Sequence, residues 1–488
     1  MDAIEPKGNY TQSIANGPAS EMTPEEVRTK RGTVVGGARS GRAVAQLLAE
    51  AGGEVFLTEH GPPPEGTVPA LEEYGIDFEF NGHTVQALDA DFFVLSPGVP
   101  TQSNIVQQAL RAGLDVYSEI EVASWFCEAP IVAITGTNGK TTTTSLTGHV
   151  FRQAFEDDPD RSRGRASDRE AIVAGNIGYP FSDYVLDVEP TDVVVLEVSS
   201  FQLDHVDTFR PRVSVVLNIA PDHLGRYDDF EAYAQAKFNI FRNQEDGDVM
   251  VYNHDDDLVR DAAERARQAR DVRLMAMTLE TVPDAGGGLR DDHIVLRIDD
   301  EDEPLMPHDE LALRGRHNVY NSLAAAVSAR VMEVENDVIR ESLSGFEGVP
   351  HRLEEVRTID GVLYVNDSKA TNVNAVWYAL ESFDRPVVLI AGGQDKGNDY
   401  SDLKPLVRDR VRAVVALGES ADKVTRELGP KASECTRAQT MEAALSRAQR
   451  YAQPGDAVLL SPACASFDMY ESYEERGNLF RRLVKTLL

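Results

Sequence analysis

Cysteine is scarce in this chain of 488 residues. The three present, Cys127, Cys435 and Cys464, are too few and too far apart for a disulfide framework, and no C-x-x-C or similar metal-ligand spacing occurs. Long apolar runs are absent too. No stretch of about eighteen apolar residues exists, which excludes a membrane-spanning helix. Residues 1–30 hold no apolar segment of the kind a secretory signal needs. The cytoplasm is the compartment these absences predict. Lysine is scarce too: it makes up ten of the 48 basic residues, against 81 acidic ones, for a formal net charge of −33. Such a chain repels nucleic acid backbones and anionic membranes, so neither is an expected partner. The acidic runs Glu156–Asp160 and Asp255–Asp257 read as solvated surface. The balance fits adaptation to a salt-rich cytoplasm, with a plainly acidic enzyme as the alternative.

What is present suffices for large cores, since 42% of the residues are hydrophobic. The length suggests about three domains of roughly 150 residues each. Residues 1–30 are polar and aperiodic and are expected to form a disordered tail. A first domain, 31–122, has strand-like runs at Gly32–Gly36, Glu54–Thr58 and Phe92–Leu95, with helical spacing over 42–51. A second, 123–349, repeats the pattern at Ile131–Thr135, Asp192–Leu196 and Val213–Leu217. It carries a charged surface insertion at 157–169 and short apolar runs over 270–315 that suggest a small antiparallel patch. A third, 350–488, has strands at Val362–Val365, Pro386–Ile390, Ala413–Leu417 and Ala457–Leu460. Strands alternating with helices predict α/β domains with parallel sheets.

The strongest chemical signal is Ala133-Ile-Thr-Gly-Thr-Asn-Gly-Lys-Thr141, a glycine loop between a buried strand and a helix. Backbone N–H groups and the helix N-terminus favour phosphate there. Lys140 would reach the β- and γ-phosphates, and Thr141 or Thr142 would offer a hydroxyl to Mg²⁺. Ile134 stands where the usual first glycine belongs, and an ordinary strand–helix turn is the bland alternative. Glu197 ends the next strand and could hold Mg²⁺, or could be a buried acid paired with arginine. Asn218, Asp222 and His223 follow the strand after that, at the end where parallel sheets present ligands. Lys237 lies on Phe230–Phe241, an amphipathic-looking helix where a lone lysine normally faces solvent. Gly36-Gly-Ala-Arg-Ser-Gly41 is like G-x-G-x-x-G except for Ala38, and Glu59 ends the second strand. A nucleotide-type ligand fits that crevice; packing glycines would explain it almost as well.

Taken together, these blocks resemble the Mur ligase family. The resemblance rests on Ala133–Thr141, Gly175–Gly178, Leu196–Leu203, Asp222-His223, Gly315–Asn321, Pro350–Arg352, Asn366–Asn372, Gly392–Gly397 and Leu460–Ser466. It runs in order from about residue 33 to the last residue. Several blocks also occur in folylpolyglutamate synthases. Asn366–Asn372 and Ser461–Ser466 are more particular and look like the branch of the family that adds D-glutamate. The implied fold is an N-terminal Rossmann-like domain, a central P-loop ATPase-like domain with a mostly parallel sheet, and a C-terminal Rossmann-like domain.

The resemblance implies ATP and two Mg²⁺ ions as cofactors, with UDP-N-acetylmuramoyl-L-alanine and D-glutamate as small-molecule partners of a monomer. Gly136, Thr137, Asn138, Gly139, Lys140, Thr141 and Thr142 would bind ATP phosphates, with Glu197 and His223 at the metals. Lys237 would be carbamylated by CO₂, turning a repelling ammonium into an oxygen ligand. Asn318 would contact adenine, Arg352 the γ-phosphate and Asp367 the ribose. Ser40, Glu59, His60, Ser96, Gly98 and Asn176 would bind the UDP-sugar. Lys369, Thr371, Lys396, Ser466, Phe467 and Tyr473 would surround D-glutamate. Arg39-Ser40, Glu59-His60, Phe467 and Tyr473 differ in type from the residues usual in the family. Two rival readings remain: a ligase of the superfamily adding another amino acid, and a P-loop nucleotide switch without ligation.

Overall fold

The computed structural model describes residues 22–63, 66–156, 169–222, 226–383, 385–395 and 397–487. Contacts gather the chain into two compact units. One contains the described residues up to Met306 together with Leu323–Ser342; the other contains Pro307–Ser322 and Leu343 onward. The architecture is α/β with mainly parallel sheets, as the strand–helix alternation predicts.

The first unit holds two sheets. The smaller contains β1 (Arg31–Val35), β2 (Glu54–Thr58), β3 (Asp77–Glu79), β4 (Phe92–Leu95) and β5 (Asp115–Ser118) in the order β3-β2-β1-β4-β5. All its pairings are parallel. Strands covered on both faces need apolar residues throughout, and Phe92-Phe-Val-Leu95 is buried at every position. The helix Arg39–Glu50 starts three residues before the periodic segment and buries Ala43, Val44, Leu47 and Leu48 on one face. Because the chain runs outward from β1 to β2 and then returns on the other side as β4, a crevice opens at the carboxyl ends of these strands.

The expected tail needs correcting for its described part. Met22 and Val27 are buried against Val34, Leu48 and Trp125. Thr23 caps the short helix Pro24–Val27 in a capping box with Glu26. Two isolated apolar residues carry no periodicity, so only packing reveals them. Residues 1–21 lie outside the described residues, as does 157–168 of the charged insertion.

The larger sheet has nine strands: β6 (Ile131–Thr135), β7 (Ala171–Gly175), β8 (Val193–Glu197), β9 (Val213–Val216), β10 (Val249–Asn253), β11 (Arg273–Met277), β12 (Gly286–Arg290), β13 (His293–Arg297) and β14 (Asp302–Pro307). Their order is β14-β13-β12-β11-β10-β9-β6-β8-β7, so β6 lies between the two strands whose ends carry Glu197 and Asn218. The antiparallel patch expected over 270–315 is a hairpin at the edge of this same sheet. Asp291 and Asp292 form its two-residue turn, both at positive φ, which aspartate tolerates better than most residues.

The second unit is built on β15 (Glu354–Ile359), β16 (Val362–Asn366), β17 (Val387–Ala391), β18 (Val411–Leu417), β19 (Glu434–Ala438) and β20 (Ala457–Leu460), in the order β15-β16-β20-β17-β18-β19. Only the β15–β16 pairing is antiparallel. The two edge strands escape a search for apolar runs because they are half exposed and carry charges.

Among the described residues no helix is long and apolar enough to cross a membrane. The three cysteines are free. The net charge of −33 must be held in a compact chain. The screening length falls from about 10 Å at 0.1 M salt to about 3 Å at 1 M, which removes most repulsion between surface carboxylates. The melting temperature should therefore climb steeply between those concentrations of KCl, and more than with an uncharged osmolyte of equal osmolality. A flat or falling melting curve up to roughly 2 M, where screening is nearly complete, would reject the salt adaptation.

Candidate functional site

The glycine loop is built from β6 outward. Thr135 is the last strand residue, and Gly136 then turns at φ 153°, where an added Cβ would meet Leu217 Cβ at 3.0 Å. Gly139, at φ 86°, leads into the helix Lys140–Glu156. The neighbouring loop after β9 fixes the turn. Thr137 N donates to the Asn218 carbonyl (2.8 Å) and Asn138 N to Asn218 Oδ1 (2.9 Å), while Asn218 Nδ2 returns a bond to the Asn138 carbonyl (3.0 Å). Asn218 is therefore a scaffold for the loop. Asn138 Nδ2 is buried with no protein acceptor among the described residues, a donor suited to a phosphate oxygen.

Lys140 and Lys237 meet at this turn. Lys140 Nζ donates to the carbonyls of Gly136 and Thr137, both at 2.8 Å, and Lys237 Nζ to that of Gly136 at 2.9 Å. The expectation of a solvent-facing Lys237 is wrong: it is 2% exposed. The helix Phe230–Phe238 buries Tyr233, Ala234, Ala236 and Phe238 as well, so little of its surface is left for water. Lys237 Nζ lies 4.8 Å from the centre of the Tyr233 ring. Burial, reinforced by the charge of Lys140, holds the Lys237 amine well below the usual lysine range.

Glu197 is opposite Ile134 in the β6–β8 register, one strand from the loop, and 2% exposed. Its Oε1 accepts from Asn176 Nδ2 at 2.8 Å, and its carbonyl accepts from Asn176 N. The partner at this oxygen is the Asn176 amide, where the alternative reading of a buried acid has an arginine. Gly175 makes this approach possible, since a Cβ there would meet the Glu197 carbonyl oxygen at 2.5 Å. Two residues expected in different subsites, Asn176 and Glu197, are direct neighbours. Thr141 and Thr142 are buried at the helix start. Asp222 acts on Lys237 electrostatically. His223 lies outside the described residues.

The crevice of the smaller sheet collects Ser40, Glu59, His60, Ser96 and Gly98. Glu59 is occupied: Oε2 accepts from Gly37 N (2.8 Å) and Oε1 from Gly61 N (2.9 Å). Burial raises its pKa, but the N–H groups of Gly61, Gly37 and His60 outweigh it and hold the carboxylate low. Ser96 is buried beside Gly36, where a Cβ would meet Ser96 Cβ at 2.7 Å. His60 is exposed, its ring 5.8 Å from that of His83.

In the second unit Arg352 sits between two residues in left-handed backbone, His351 (φ 65°) and Leu353 (φ 44°). Such strain is held only where surroundings enforce it. Asp367 supplies part of that hold, accepting from Leu353 N (3.2 Å) and Ser461 Oγ (2.7 Å). Burial pushes the Asp367 carboxyl up to about 7, against the pull of Ser461 and Arg352. Asn318 is buried, donating to the Arg314 carbonyl (2.7 Å) and accepting from Asn321 (2.9 Å).

Lys369 Nζ lies 5.4 Å from the Tyr473 ring centre. Thr371 is half-buried two residues further on, Ser466 is buried, and Phe467 is 65% exposed. Lys396 lies outside the described residues. Arg476, which no local motif marks, ties this region together at 1% exposure. It donates to Ser368 Oγ (2.9 Å), the Ser368 carbonyl (2.8 Å) and the carbonyls of Cys464 and Ala465 (3.2 and 3.3 Å). The residues it joins are some hundred positions apart, so spacing could not have found it.

The chain matches the Mur ligase middle domain over residues 134–329, the Mur ligase glutamate ligase domain over 351–464 and the MurD N-terminal domain over 31–105. It is 79% identical to a Salinibacter ruber protein named UDP-N-acetylmuramoylalanine--D-glutamate ligase, over 96% of this chain and 100% of that one. A protein of the same name from Chloroherpeton thalassium is 44% identical, again over 96% and 100%. Among solved structures, UDP-N-acetylmuramate-alanine ligase from Thermotoga maritima superposes with a TM-score of 0.57 at 17% identity, covering 94% of this chain and 99% of that one. A pseudomurein peptide ligase from Methanothermus fervidus gives 0.56 at 18%, covering 93% and 99%. At such identities these two show a shared fold.

Proposed function

We propose a reaction for this chain from one established premise: it belongs to the Mur ligase family, ATP-dependent, Mg²⁺-using ligases of peptidoglycan precursor synthesis. The reaction is the joining of D-glutamate to UDP-N-acetylmuramoyl-L-alanine. The alanyl carboxylate attacks the γ-phosphorus of ATP and ADP leaves, giving an acyl phosphate. The neutral amine of D-glutamate attacks the acyl carbon, and the tetrahedral intermediate collapses with release of phosphate. The observation that carries this reading is the meeting of Lys140 and Lys237 at the Gly136 carbonyl, one strand from Glu197. A nucleotide switch has no use for a second lysine buried there.

Lys140 and the loop N–H groups hold the phosphates, and Arg352 takes the charge that grows on the transferred group. Burial holds the Lys237 amine well below the usual lysine range, which favours its attack on CO₂; the carbamate would form as the nitrogen bonds to carbon and loses a proton to solvent. Thr141, Glu197, His223 and that carbamate would offer a donor set, mostly oxygen, suited to two Mg²⁺ ions. Mg²⁺ supplies charge neutralisation between phosphate oxygens. In the smaller sheet, Ser40, His60, Ser96 and Gly98 receive the UDP-sugar, joined by Asn176, while Glu59 keeps the glycine turns in shape. Lys369 and Lys396 favour the carboxylates of D-glutamate, with Thr371, Ser466, Phe467 and Tyr473 around them. Asn318 serves adenine and Asp367 the ribose side, the latter also holding the Arg352 turn. The chain works as a cytoplasmic monomer.

Phosphate release from ATP, measured with each substrate omitted in turn, tests the reading. Release should require both the nucleotide-sugar and D-glutamate, and L-glutamate, L-alanine and diaminopimelate should not replace the latter. Hydrolysis indifferent to both substrates would support a nucleotide switch instead.

A further inference from the structure

The turn after β4 is gripped from the larger sheet's side of the same unit. Val99 N donates to the Ser96 carbonyl (2.9 Å), closing the turn. Three consecutive carbonyls then converge on one side chain: Arg226 Nη2 donates to Pro97 O (3.0 Å) and Val99 O (2.7 Å), and Nη1 to Gly98 O (3.4 Å). The guanidinium stacks on Phe201 at 4.0 Å. A planar, five-donor fork can serve three acceptors at once; an ammonium on a flexible stem cannot hold the same geometry. A second tie lies beside it. His205 Nε2 is 2.8 Å from Thr101 Oγ1, and the His205 carbonyl accepts from Ser118 N (2.9 Å). Burial, then the charge of Arg226, pushes His205 down to about 4, so this ring is neutral.

The consequence follows from peptide geometry. In a trans peptide the C=O and N–H point in opposite directions. Drawing the Pro97 carbonyl toward Arg226 therefore turns the Gly98 N–H away from it. Gly98 is exposed there, with no atom within 4 Å of where a Cβ would stand. Resting on the function proposed above, we infer that Arg226 is a positioning residue for the nucleotide-sugar: it presets the Ser96–Val99 turn so that the Gly98 N–H faces an acceptor oxygen of that substrate. Phe201 follows Glu197 by four positions and Arg226 follows Asp222 by four. The same grip therefore ties the nucleotide-sugar turn to the two segments that carry the phosphate-side acids.

The test compares Arg226→Ala, Arg226→Lys and Phe201→Leu with the parent enzyme. Calorimetric binding of the nucleotide-sugar is measured beside KM for each substrate, kcat and melting temperature. Arg226→Ala should weaken nucleotide-sugar binding about 30-fold, as loss of charge-assisted hydrogen bonds implies, with KM for ATP within about twofold. Arg226→Lys should recover only part of the loss, because charge returns without the fork. Phe201→Leu, which leaves all three donors in place, should fall between the parent and Arg226→Ala and covers the case in which the alanine variant does not fold. Nucleotide-sugar binding within about twofold of the parent in the folded variants, or an equal rise in KM for all three substrates, would overturn the inference alone. A parent enzyme that binds no uridine nucleotide would overturn the functional reading as well.

Discussion

Replacing Lys140 with alanine should abolish ligation while leaving the protein folded. Its Nζ donates to the carbonyls of Gly136 and Thr137. Their loss costs on the order of 1 kcal/mol each, small beside the packing of a buried nine-stranded sheet. The effect on catalysis is of another size, because the charge of Lys140 counts most when negative charge moves onto the transferred phosphoryl group. Removing such a preorganised contact lowers kcat by about 10³-fold. Arginine should rescue poorly, since a planar fork does not fit where a compact ammonium reaches back to two carbonyls of its own loop. The measurement is kcat at saturating ATP, with the melting temperature as the control for folding. Activity within about tenfold of the parent, against the 10³-fold expected of a transition-state contact, would remove the phosphate site from this loop.

Lys237→Ala should be nearly inactive and, unlike Lys140→Ala, partly rescued. Short carboxylic acids such as acetate can enter the space left by the side chain and present oxygens where the carbamate would. Parent enzyme prepared in ¹³C-labelled bicarbonate should show a carbamate carbon resonance that is missing from the variant. Stability gives an independent readout. The folded protein holds the Lys237 amine well below its ordinary value, so over the interval up to about 10.4 the unfolded chain binds the extra proton. In CO₂-depleted buffer the stability contributed by this site therefore rises with pH toward that value, and the slope should flatten in Lys237→Ala. Normal turnover of the variant without CO₂ or added acids would show that no carbamate is needed.

How far the sequence reaches differs from residue to residue. The loop Gly136–Thr141 is legible because its chemistry is local: a strand, two glycines at positive φ and a lysine at a helix start occupy the ten consecutive positions 131–140. Glu197 was legible for a related reason, since a buried parallel strand ends in an acid at the edge where such sheets present ligands. The sheets themselves follow from runs such as Phe92–Leu95 and Val193–Leu196, whose unbroken apolar character requires cover on both faces. Spacing misleads at Lys237 because periodicity says which face of a helix is apolar, and here the packing encloses Lys237 along with Tyr233, Ala234, Ala236 and Phe238.

What remained hidden depends on meetings between distant segments. Glu59 and Asp367 look like ligand-binding acids by position, yet they also accept from the Gly37 N–H, the Leu353 N–H and the Ser461 hydroxyl, which lie 22, 14 and 94 positions away. Arg226 and Arg476 look like two of many surface arginines, yet each gathers several carbonyls from segments up to about 130 positions away in the chain. By itself the sequence determined which strands could be buried, where phosphate could bind and in what order the domains come. Only the tertiary structure decided which charged groups are enclosed and which turns they hold. Burial and hydrogen-bond geometry belong to segments that the fold brings together, and no spacing along the chain encodes them.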